Sequence, residues 1–100
     1  MIKINVNKDK IIFKGHALYD DKGKDIVCSA VSSIMITSIN GINSLRENSL
    51  SINNDKDEFI IKINKHDEII DGLIINMIDL LKELEIDYPK NIEIKGEYND

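Results

Sequence analysis

The sequence predicts an α+β fold in two layers, a mostly antiparallel sheet covered by two main helices, in the order ββαββαβ. Two features carry that prediction. Short apolar–polar alternations come in pairs, and each pair is followed by a longer segment whose apolar residues recur at helical spacing. The first pair is Ile2, Ile4 and Val6, alternating with Lys3, Asn5 and Asn7, and then the β-rich run from Ile11 to Lys14. The polar NKDK between them, with Asn7 and Asp9, is hairpin-turn chemistry. From Gly15 to Lys24 the pattern breaks into a loop with glycines near both ends, Gly15 and Gly23, and His16 stands at the strand exit.

Asp25 is the natural N-cap of a first helix in which Val27, Ala30, Val31, Ile34 and Met35 recur, and Cys28 falls in its first turn. Only Ser, Thr and Asn separate the aliphatic residues, a composition that suits a helix buried on more than one side. Gly41 is expected to end or bend it. A second hairpin follows, Leu50 to Asn53 and Phe59 to Ile63 around NDKDE. Ile69, Ile70, Leu73, Ile74, Met77, Ile78, Leu81 and Leu84 then form one stripe of an amphipathic helix with acids on its other face. Pro89 stops that helix, and Ile92 and Ile94 make a last short strand.

One hundred residues suit a single domain, 1–100, with one core that needs neither metal nor disulfide. A lone cysteine forms no internal disulfide, and a reduced thiol fits the cytoplasm. The start, MIKINVNKDK, lacks the basic and then apolar pattern of a signal peptide, and no apolar run is expected to approach the roughly 18 residues of a membrane span. The net charge of −5, with a single arginine, argues against a phosphate-tracking surface and favours basic proteins or peptides as partners. Neither nucleic acid nor membrane is therefore an expected partner.

Cys28 has two readings. A free cysteine packs well as a small hydrophobe, and the surrounding IVCSAV is apolar. Yet a helix N-terminus presents unpaired N–H groups and a partial positive charge, which favours a thiolate and can hold an oxyanion. His16 could lie beside that helix start, where an imidazolium would activate the thiol and later protonate a leaving amine. Asp25 serves as the cap, and would act as a triad's third member if it also reached His16. Ser32, one turn after Cys28, either bonds back to the preceding turn or sits near the thiol. His66 opens the second helix beside Asp67 and Glu68 and is expected to be exposed. A metal site from His16, Cys28 and His66 lacks a fourth ligand and any close ligand pair, so no metal or cofactor is expected.

The residues GHA (15–17), GKD (23–25) and DIVCSAVS (25–32) resemble the ribosomal-processing cysteine protease family of low-GC bacteria and their relatives. The resemblance implies a cytoplasmic, homodimeric endopeptidase that removes the N-terminal extension of large-subunit ribosomal protein number twenty-seven. It implies Cys28 as nucleophile and His16 as base and later acid, with Asp25 and Ser32 supporting them. It further implies a loop that closes on the substrate and an apolar cleft beside Cys28; from the residues themselves, Gly15 would let the strand turn so that His16 faces the helix, and Gly23 would give the loop a hinge. Two rival readings need no catalysis of this kind: an acidic ribosome-assembly factor, or a thiol-based sensor using Cys28.

Overall fold

The computed structural model describes residues 1–15, 26–55 and 57–98. The alternation of the first strand shows directly in its burial. In β1 (Ile2–Val6) the three aliphatic side chains are buried and Lys3 and Asn5 are exposed. Its partner β2 (Lys10–Lys14) buries Ile11 and Phe13, and the turn between them is held by Asn7, whose Oδ1 accepts the N–H groups of Asp9 at 3.0 Å and Lys10 at 2.8 Å. Helix α1 (Ile26–Leu45) follows, then the hairpin β3 (Leu50–Asn54) and β4 (Glu58–Ile63), helix α2 (Glu68–Asp87) and β5 (Ile92–Gly96).

The five strands lie in the order β3-β4-β2-β1-β5. Three neighbouring pairs are antiparallel, and the fourth, β1 with β5, is parallel. The expected two-layer α+β architecture is therefore present. Alternate residues of every strand share a face. One face carries Ile2, Ile4, Val6, Ile11, Phe13, Ile61, Ile63 and Ile92, which form a single core with Val27, Val31, Met35 and Ile42 of α1 and Ile70, Ile74, Met77, Ile78 and Leu81 of α2. Each such side chain stabilises the fold by roughly 1.5–3 kcal/mol when taken out of water.

Helix α2 is capped by Asp67, whose Oδ1 accepts the N–H of Ile70 at 2.8 Å, and it ends where Tyr88 N–H reaches the Leu84 carbonyl, just before Pro89. Helix α1 departs from expectation twice. Gly41 does not end it: the helix runs on to Leu45, because the next residue, Ile42, is completely buried and that burial offsets the roughly 1 kcal/mol a mid-helix glycine costs. And α1, uncharged over its 20 residues, does reach the length and apolarity of a membrane span. What the alternating Ser, Thr and Asn concealed in the sequence is the absence of any charge. The helix lies on the sheet through Val27, Val31, Met35 and Ile42, but leaves Ile26, Ile36 and Leu45 more than half exposed.

Candidate active site

Three ends of secondary structure meet at one end of the sheet: the start of β1, the end of β2 and the β3–β4 turn. With the first three turns of α1 they enclose a cleft of about 460 Å³. Its apolar lining includes Ile2, Val31, Met35 and an edge-to-face pair, Phe13 and Phe59, with ring centroids 6.3 Å apart. Cys28, the third residue of α1, is half-buried, packs against the core and lines the cleft. The start of a helix carries a partial positive charge, which α1 brings to this wall of the cleft.

Two further residues singled out in the sequence line the same cleft. Ser32, one turn along α1, is exposed at its wall, whereas Ser38 and Ser44 donate to carbonyls four residues back. Gly15 ends β2 with φ +82, and a Cβ there would lie 2.6 Å from the Met1 carbonyl oxygen, so backbone conformation and close approach both demand glycine. His16, Gly23 and Asp25 lie outside the described residues. The wall opposite Cys28 was read in the sequence only as a turn. Asn54, Asp55, Asp57 and Glu58 supply it, and the run of acids in NDKDE is the signal that marks it.

The second histidine is at the other end of the sheet. His66 Nδ1 lies 2.8 Å from Asp71 Oδ1, and Nε2 lies 3.1 Å from Asp9 Oδ1 in the β1–β2 turn. Tyr98, beyond β5, donates to the same Asp71 oxygen at 2.5 Å. The hydrogen bond to Asp71, then that to Asp9, raises the His66 pKa above the ordinary imidazole value against the opposing effect of burial. For Asp71 burial acts upward, but the hydrogen bonds from Tyr98 and His66 outweigh it and hold the carboxyl below its usual range. The imidazole is exposed, as expected, and also ties three elements together. Among the described residues neither Cys28 nor any residue lining its cleft takes part in it, and no group of three or more His, Cys, Asp or Glu is placed to hold a metal ion.

A thiol at a helix start, on the wall of an open cleft with an apolar lining, is an arrangement that suits a cysteine peptidase, and comparison with known proteins gives that class. A family model described as cysteine protease Prp matches residues 1–93, and the chain belongs to that family of ribosomal processing cysteine proteases. The ribosomal processing cysteine protease Prp of Mycoplasma pneumoniae is 32% identical over 100% of this chain and 99% of its own. That of Staphylococcus aureus is 28% identical over 93% and 94%. A crystal structure of the S. aureus protease with a covalently linked product peptide superposes with a TM-score of 0.90 at 25% identity, covering 97% of this chain and 100% of that one.

Proposed function

We propose that this protein is a cytoplasmic, homodimeric endopeptidase that removes the N-terminal extension of large-subunit ribosomal protein number twenty-seven and so supports ribosome assembly. Cys28 is its nucleophile and His16 its base and later acid. The observation that carries this reading is the shared cleft: Cys28 lines it, and so does Gly15, to which His16 is bonded. In the reaction, His16 takes the thiol proton as Sγ of Cys28 attacks the scissile carbonyl carbon. N–H groups at the start of α1 hold the oxyanion. The C–N bond then breaks, His16 returns the proton to the departing amine, and water releases the acyl group from Sγ.

The apolar floor suits bulky side chains before the cut, and the acids Asp55, Asp57 and Glu58 suit a basic substrate segment. Asp25, bonded to the first residue of α1, acts as cap and orients His16; Ser32 supports the thiol side of the cleft. Gly23 serves as hinge of the loop that closes over the substrate. The peptide complex of the S. aureus relative supports a peptide ligand in this cleft. The exposed Ile26, Ile36 and Leu45 of α1 support a second copy as partner, and the seating of α1 on the sheet supports a protein that works away from membranes.

The test is incubation with the full-length ribosomal precursor and detection of the shortened product by mass. Cleavage by wild type and none by Cys28→Ser is the expected result. Normal cleavage by Cys28→Ser overturns the assignment, and binding without cleavage by wild type turns it to an assembly factor. Alkylation separates the thiol readings: Cys28 is expected to react with iodoacetamide at about pH 6–7 and to slow sharply in His16→Ala.

A further inference from the structure

The helices cover one face of the sheet and leave the other open, and charge is divided unequally between the two sides. The open face carries Lys3, Lys10, Lys14, Lys62 and Lys95, against only Glu58 and Glu93. That is a net of three positive charges on a chain whose total is −5. On the other side α1 has no charged residue, and α2 has six acids and one lysine. A composition merely rich in lysine would not sort itself in this way.

The register adds a second observation. Lys3 stands directly opposite Lys14, and Lys10 directly opposite Lys62. Like charges in direct cross-strand register destabilise a sheet, and here the arrangement occurs twice on one face. The two glutamates are already engaged, Glu58 with Lys14 at 3.7 Å and Glu93 with Lys95 at 3.8 Å. Lys3, Lys10 and Lys62 have no carboxylate within salt-bridge distance among the described residues. Between the lysines Ile12 pairs with Ile60, both half-buried, and among the described residues the face carries no aromatic side chain on which a base could stack.

We propose that the open sheet face docks the phosphodiester backbone of RNA, in a sequence-independent manner. Doubled lysines call for closely spaced fixed negative charges, and a nucleic-acid strand carries one at every residue. Membership of a ribosomal processing family places the chain's work next to an RNA-rich particle, which favours RNA over an acidic protein. The whole-chain charge does not prevent this. The molecule is 18 Å across at its narrowest, about twice the Debye length at physiological salt, so a ligand on the lysine face is largely screened from the acids of α2.

The experiment is fluorescence anisotropy of a labelled RNA oligonucleotide with the full chain, at about 50 and 200 mM salt. Neutralising three phosphates predicts a loss of affinity of about 20-fold between those conditions. The triple variant Lys3→Gln, Lys10→Gln, Lys62→Gln is expected to lose at least about tenfold in affinity at low salt, while cleavage of a short peptide is unchanged. Its Tm should hold or rise, since the repelling pairs are gone, so lost binding is not lost folding. Absence of RNA binding at low salt, or equal binding by the triple variant, overturns the proposal. So does displacement of the RNA by polyglutamate at equal charge concentration, which would assign the face to an acidic protein.

Discussion

The two ends of the sheet show how differently a reactive-looking side chain can be used. At one end His66, Asp71, Asp9 and Tyr98 form a His–carboxylate–hydroxyl cluster that resembles a catalytic set, yet its groups are spent on one another, and the cleft that Tyr98 helps to line is small, about 150 Å³. At the other end Cys28 and Ser32 line an open cleft beside the acids of the β3–β4 turn. The lesson is that polar residues drawn together by folding are as often fasteners as tools. What separates them is whether a substrate can reach them.

The contrast can be broken from either side. Its largest expected effect is at the cleft: Cys28→Ala should reduce peptide cleavage by about a thousandfold or more with Tm little changed, as measured by a kinetic assay and a thermal melt side by side. Residual activity above a tenth of wild type would mean the wrong residue has been assigned. Next comes Gly15→Ala, which forces a Cβ against the Met1 carbonyl oxygen at positive φ. It should cost about 1–3 kcal/mol in a denaturant titration and lower kcat, because the bend at the rim of the cleft has to shift. Neutral behaviour in both readouts would show that the rim tolerates a different path.

At the opposite end Asp71→Asn should leave kcat/KM within about twofold and lower stability, since it weakens the tie from α2 to His66 and Tyr98 together. A large loss of rate would make the cluster part of the machinery. The smallest effect is a pH dependence. His66 binds its proton more tightly in the folded state than unfolded, so its stabilisation is complete below about pH 6.5 and is lost as pH rises through the raised folded value. His66→Gln should flatten Tm between about pH 6 and 8; an unchanged slope would place the titrating group elsewhere.

Much of the scaffold was legible because it depends on local pattern. The stripe from Ile69 to Leu84 and the alternation at Ile2, Ile4 and Val6 each commit their own segment, and the structure buries Ile70, Ile74, Met77, Ile78 and Leu81 of the stripe and all three of the strand. Gly41 misled because its local cost is real and only the tertiary burial of Ile42 offsets it. The His66 cluster was hidden because Asp9 lies 57 residues away in sequence and Tyr98 lies 32 away, beyond any periodicity. The sequence marked Cys28 as a candidate through its place after Asp25 and its spacing from His16, and the structure places it on the wall of a cleft, whereas the acids Asp55, Asp57 and Glu58 come to that cleft only through the folding of the hairpin.

The parallel pairing of β1 with β5 sets an order of events during synthesis. Ile2 and Ile4 lie beside Ile92 and Ile94, and Gly96 is fitted so tightly against Val6 that a Cβ there would sit 2.0 Å from its carbonyl oxygen. Ile2 also lines the cleft. A nascent chain that has emerged only through α2 therefore holds its thiol on a sheet whose flanking strand has an open edge, and the ribosome must release the fifth strand before that strand is secured. Such a long-range closure comes late in folding. The last strand thus secures, late in synthesis, the strand whose first residue lines the cleft.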